Sequence, residues 1–222
     1  MANIWLKRGA RTLLVVAALG IWFWTQSLIG KKSFPNGIIG DTLLEVTGPW
    51  HDYLIGHAGP ANALLIASSA VIDLLGIFIL TASIFGSSIR PLLGLMLLFA
   101  LRQVCQSLCS LPPPEGMIWR DPGFPTLLVT YGVSNDLFFS GHTALAVFGT
   151  IELSRLGKPW LTMIAVFIAL FEATTVLVLR AHYTMDVFTG ALAALFIGII
   201  SARLAPACDR FFAQFMPSRS SQ

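Results

Sequence analysis

Three observations predict an all-α, polytopic membrane fold with six transmembrane helices. Of 222 residues, 55% are hydrophobic and only 11% are charged, where a soluble domain carries about 25% charged residues. Six apolar stretches are long enough, or nearly so, to cross a bilayer, a crossing taking roughly 20 residues. The longest connections hold proline and glycine, which interrupt helices.

The six stretches are Thr12–Ile29, Ala61–Phe85, Pro91–Cys109, Leu137–Leu153, Trp160–Leu179 and Met185–Leu204. Each is read as a helix, because hydrocarbon offers no water to satisfy free backbone groups. Lys7, Arg8 and Arg11 precede the first stretch as in a signal peptide. Its 18 residues and the lack of a clear small-residue cleavage site favour a retained helix. Between Gly30 and Pro60 a short interfacial helix is expected around Leu43–Val46. Ser110–Asp136, with Pro112 to Pro114, Pro122 and Pro125, cannot be one helix. The chain is read as a single transmembrane domain over 1–222, with the motif-bearing core at about 91–204. No internal repeat is found, and the tail from Pro217 is expected to be disordered.

Net charge is +3, and the cations are scattered rather than gathered in a groove. Nucleic-acid binding is therefore excluded. With both termini cytoplasmic, nine lysines and arginines lie inside and five outside, which sets the expected orientation. Of the three cysteines, Cys105 and Cys109 read as packed residues, with no disulfide framework and no zinc spacing.

That orientation brings two polar motifs to the same outer face. In His182-Tyr-Thr-Met-Asp186 the acid sits four residues after the histidine, on the same helical face. A carboxylate there accepts one imidazole N–H and leaves the other nitrogen to act as nucleophile on phosphorus. In Ser140-Gly141-His142, glycine permits close approach to an anion and the helix start supplies backbone donors. Ser140 adds a hydroxyl, and His142 is suited to act as general acid and then base. Arg102 and Arg180 are candidate grips on phosphate oxygens, although either also reads as an ordinary boundary residue. Asp136 orients Arg102, contacts a cationic headgroup such as choline, or caps the fourth helix. Asp73 and Glu172 lie within spans, as pairing residues or functional ones. His51 and His57 read as interfacial. No carboxylate pair is arranged for magnesium, so metal-free catalysis is expected.

Together these motifs resemble the type-2 phosphatidic acid phosphatase superfamily. The chain lacks the Lys-x6-Arg-Pro block of its phosphatases and an arginine at their spacing before His182. It is more similar to the lipid phosphotransferase branch, the sphingomyelin synthases and the plant phosphatidylcholine:diacylglycerol cholinephosphotransferases. The likeness rests on Arg102 with Leu111-Pro112-Pro113-Pro114, on Leu137-Phe-Phe-Ser-Gly-His142, and on Arg180-Ala-His-Tyr-Thr-Met-Asp186. Asp136 resembles the sphingomyelin synthases. The resemblance implies that His182 is the nucleophile, Asp186 its orienter and His142 the acid and base. It implies phosphate binding by Ser140, Arg102 and Arg180. The partners would be a phospholipid donor, such as phosphatidylcholine, and a lipid hydroxyl acceptor, diacylglycerol or ceramide. The site would be exoplasmic or lumenal and need no cofactor. A lipid phosphatase or phospholipase C-like hydrolase would use the same residues with water as acceptor, and the Ser110–Asp136 loop is the candidate lid that separates the two outcomes. A channel or carrier is disfavoured, because the polar groups cluster at one face.

Overall fold

The computed structural model describes residues 2–29, 39–132 and 136–215. Among them the chain forms eight helices: α1 (Ala2–Ile29), α2 (Thr42–Val46), α3 (Gly48–Gly56), α4 (Ala58–Phe85), α5 (Arg90–Leu108), α6 (Gly141–Ser154), α7 (Pro159–Val178) and α8 (Thr184–Phe215). The described residues contain no strand. Lys31, Lys32 and the tail from Pro217 lie outside the described residues.

Four helices, α4, α5, α7 and α8, are long and apolar enough to cross a membrane. Their outward faces are as apolar as their inward ones. On α7, Met163 and Phe167 are 73% and 71% exposed, a surface suited to lipid rather than water. Four of the six predicted spans therefore meet the length and composition of a crossing among the described residues. The fourth predicted stretch begins later than expected. Phe138 has a positive φ of 73°, and Ser140 caps the helix with its side chain on the Thr143 amide. That leaves 14 residues in α6, about 21 Å at 1.5 Å per residue, short of a hydrocarbon core roughly 30 Å thick. At the other extreme, α8 continues well past Leu204 and absorbs Pro206.

Short α6 is the hub of the bundle, packed against α7, α8, α4 and α5. Its Phe148 is fully buried in the main core with Phe139 and Leu145. Two glycines let neighbours close on it. A Cβ at Gly190 of α8 would meet the Ser140 carbonyl oxygen at 2.5 Å, and one at Gly94 of α5 would run into the Phe148 ring. The loop between α5 and α6 is irregular over its described part, as its prolines require. Asp73, mid-way along α4, fastens it by accepting the amides of Leu127 (2.8 Å) and Leu128 (2.9 Å). Glu172 of α7 accepts the Ser68 hydroxyl of α4 at 2.6 Å. Both acids take the pairing role.

The segment before α4 holds two helices where one was expected. Thr42–Val46 is the anticipated one. The second, α3, starts with Pro49 in its first turn, where a missing N–H is harmless. It buries His51 completely inside the protein.

Candidate active site

The site begins where α7 ends. The Arg180 amide donates to the Leu177 carbonyl at 3.0 Å, and the Ala181 amide to Val176 at 2.8 Å. This crossed pair is a Schellman stop, in which the turning residue takes left-handed backbone. Arg180 does so with φ 51°. Glycine is the usual choice there, since a side chain in that conformation costs roughly 1–2 kcal/mol. The stop turns the chain so that His182 stands just ahead of α8.

The first turn of α8 is capped from a distance. Asp41 accepts the Thr184 amide at 2.6 Å and its hydroxyl at 2.5 Å. The same carboxylate also accepts the Leu43 and Leu44 amides at the start of α2. Burial raises the Asp41 pKa, but these hydrogen bonds to the charged form outweigh it and hold the group below its ordinary 3.8. Nothing in the sequence pointed to Asp41 beyond an acid preceding an apolar run.

Asp186 follows in that turn and is fully buried. One oxygen accepts His182 Nδ1–H at 3.0 Å and the Tyr183 amide at 3.1 Å. The other accepts the Phe138 amide at 2.9 Å, and the Asp186 carbonyl accepts the Ser140 amide at 2.9 Å. The carboxylate is an acceptor, so the proton of a neutral His182 sits on Nδ1 and its lone pair on Nε2. Asp186 therefore does more than orient a histidine. It ties the His182 turn to the strained Phe138 turn that sets up α6.

His142 occupies the second position of α6. Its ring meets Trp119 edge-on, with centroids 5.3 Å apart. Its Nε2 is buried without a protein partner. Ser140 Oγ is committed to Thr143, accepting the amide at 3.3 Å and lying 3.1 Å from the Thr143 hydroxyl. In this arrangement Ser140 is the helix cap, a role the sequence left open for Asp136.

Asp136 instead pairs with Arg102, whose second guanidinium branch donates to Gln26 Oε1 at 2.7 Å. Gln26 closes the triangle by donating to Asp136 at 3.3 Å. The Gln106 amide supports the Asp136 carbonyl. Arg102 Nε is buried and unpaired, and Gly141 leaves it room, since a Cβ there would lie only 3.2 Å from it.

His142, His182, Arg102, Asp136 and Gly141 line one cavity of about 40 Å³ together with Trp119, Trp22 and Phe99. Ser140 and Asp186 stand behind its wall. Arg180 is not brought in. Its guanidinium donates to the Glu115 carbonyl at 2.9 Å, on the exposed side. Next to it His51 Nδ1 donates to the Val178 carbonyl at 2.9 Å. Burial is the main force holding His51 below its ordinary 6.5; the Val178 bond opposes it and nearby Arg180 adds to it. Sequence reasoning missed Trp119 and Gln26. Their signals were faint: an aromatic inside the proline-rich loop, and an amide near the end of an apolar run.

The resemblance read from the motif blocks agrees with a comparison of the chain against known families. Residues 41–203 match the family described as AtPDCT1/2. The chain belongs to this family. Two of its relatives are phosphatidylcholine:diacylglycerol cholinephosphotransferases 1 and 2 of Arabidopsis thaliana, 25% and 23% identical over 114 residues. Each alignment covers 51% of this chain but only 36% and 37% of the two plant proteins. The chain thus aligns with about a third of the length of these relatives. No solved structure matches. Within the AtPDCT1/2 match lie Asp41, Arg102, Trp119, both histidine motifs and most of α8. Helix α1, with Gln26 and Trp22, lies outside it.

Proposed function

We propose that this AtPDCT1/2 family member is an integral-membrane lipid phosphotransferase. It moves a phospho-headgroup, phosphocholine foremost, from a glycerophospholipid to the hydroxyl of diacylglycerol or ceramide, through a phosphohistidine on His182. The observation that carries this reading is the meeting of the Asp186-held His182 and the unpaired His142 on one cavity with Arg102.

The chemistry follows from the protons. His182 Nε2 attacks phosphorus, and the bond from phosphorus to the glycerol oxygen breaks. A protonated His142 gives its proton to that oxygen, so diacylglycerol leaves neutral. In the second half, His142 takes the proton of the incoming lipid hydroxyl. The hydroxyl oxygen attacks phosphorus, and the bond to His182 breaks. Arg102, kept in place by Asp136 and Gln26, offers its unpaired Nε–H to a phosphate oxygen.

In the bilayer, α1 and α6, the latter lengthened by the buried turn at residues 137–140, join the four long helices to give six crossings of a single membrane domain. The excess of cations at the opposite end of the bundle supports cytoplasmic termini and a site at the exoplasmic or lumenal face. The described part of the loop between α5 and α6, which carries Trp119, is the lid against water.

The purified chain in defined lipid, given headgroup-labelled phosphatidylcholine with diacylglycerol, ceramide or no acceptor, tests the reading. Label in new phosphatidylcholine or sphingomyelin is expected and names the acceptor. Label solely in free phosphocholine would make the enzyme a hydrolase instead. An acid-labile phosphoenzyme is expected in the first half-reaction, and its persistence in His182→Ala would remove the assigned nucleophile.

A further inference from the structure

A second cavity adjoins the catalytic one. It is an apolar groove of about 380 Å³ between α1 and α5. Its walls are two helical stripes, Val15, Ala18 and Trp22 on α1 and Leu92, Met96 and Phe99 on α5. The three- and four-residue spacing keeps each stripe on one face. Trp22, Phe99 and Leu128 line both this groove and the cavity of Arg102, His142 and His182. The two spaces are thus divided by a thin wall, with the Trp22 and Phe99 rings 5.2 Å apart.

The groove has a polar end and an apolar end. Thr25 and Gln103 stand at the end near the site, whereas Val15 and Leu92 lie several turns away. Two hydrogen-bond donors at the polar end are unsatisfied. Trp22 is 8% exposed, yet its indole Nε1–H has no acceptor, and neither has Gln103 Nε2. A buried donor without a partner is unfavourable, and lipid outside supplies no water to relieve it. The pattern is that of a receptor for an amphiphile with acceptor oxygens at the head end and hydrocarbon below.

We infer that this groove binds one acyl chain of the glycerophospholipid substrate, with Trp22 Nε1–H and the Gln103 amide donating to its ester carbonyl oxygens. The inference rests on the proposed lipid chemistry and extends it. It assigns substrate binding to α1, which lies outside the residues that match the family. Trp22 and Gln103 then read the glycerol ester region, while Arg102 and the histidines read the phosphate.

The test uses the full chain in nanodiscs with phosphatidylcholine bearing a diazirine midway along one acyl chain. Crosslinks are expected to concentrate on residues 15–25 and 92–103, and Ala18→Trp, which fills the groove, should cut that labelling at least about fivefold. Labelling spread over all lipid-facing helices, or centred on Met163 and Phe167 of α7, would overturn the groove. Trp22→Phe keeps the ring and removes the donor. It should raise KM for the diester lipid by about three- to tenfold more than KM for a diether analogue. Equal changes for both lipids would remove the assigned hydrogen bond. Should Ala18→Trp fail to purify as a monodisperse protein, the wild-type crosslink map and Trp22→Phe still decide. Concentrated crosslinks without turnover of any lipid would refute the headgroup chemistry and leave the groove standing. Turnover with dispersed crosslinks would do the reverse.

Discussion

At one end of the bundle Arg90 of α5 pairs with buried Glu152 of α6, and Asp209 of α8 accepts the Ser88 hydroxyl at 2.7 Å and the Ile89 amide at 2.8 Å. At the other end Arg102 of α5 pairs with Asp136, and His182 with Asp186. Both ends use the same kinds of group. They differ in what is left over. Among the described residues, no buried side-chain nitrogen or oxygen near Arg90 lacks a partner, whereas Arg102 Nε, His142 Nε2 and Trp22 Nε1 all do. A closed polar network specifies packing. An open one, kept under the same burial, is arranged for something that is not protein.

The comparison is most exposed to failure at His182. His182→Ala is expected to lower headgroup release by at least about 10³-fold, with the thermal midpoint in detergent little changed. Residual turnover near wild type would make the site end as structural as its counterpart. Arg102→Lys keeps the charge but loses the fork shared by Asp136 and Gln26. A loss of about 10²-fold in kcat/KM is expected, measured on the same labelled lipid.

Glu152→Ala should give the opposite signature at the closed end. It leaves Arg90 unpaired and is expected to destabilise the fold by about 2 kcal/mol, seen in denaturant unfolding. Turnover per folded molecule should stay within about twofold. A large drop in turnover without a loss of stability would erase the distinction between the ends.

The smallest effect expected is at Asp41, which caps α2 and α8 together. Asp41→Asn leaves one acceptor oxygen where two now serve the Leu43, Leu44 and Thr184 donors, and should cost about 1 kcal/mol. Because the folded pKa lies below the ordinary 3.8, the carboxylate stabilises the fold fully above that value. The contribution is lost as pH falls through the lowered folded value. Unfolding measured across that acid range should show the wild type converging on the variant. Parallel curves would mean that the cap does not depend on charge.

Helix positions were largely legible. Each of the six apolar stretches overlaps an observed helix, because length and composition alone report what lipid demands of a backbone. The errors have local causes. Residues 137–140 are as apolar as a helix start, but Phe138 turns left-handed to hand its amide to Asp186. No composition signal marks a residue whose conformation is decided by an acid 48 positions away. Helix α3 was hidden by its glycines and proline, which sit at its ends and its first turn.

The site was partly legible for the same reason. His182 and Asp186 are four residues apart, so the sequence brings them together, but His182 stands ahead of α8 rather than on its face, and the stop that ends α7 is what aims Nδ1 at the carboxylate. The sequence alone also supplied the two histidine motifs, their common face and the likeness to lipid phosphotransferases. Only the tertiary structure decided which arginine turns inward. Arg102 and Arg180 are equivalent as sequence. One guanidinium is drawn to Asp136 and Gln26 on other segments, and the other is held away from the cavity by the Glu115 carbonyl. The roles of Gln26, Trp22 and Trp119 were decided in the same way. A side chain's chemistry is local, but its partners come from the packing of helices distant in the chain, and that packing is not written at any one position.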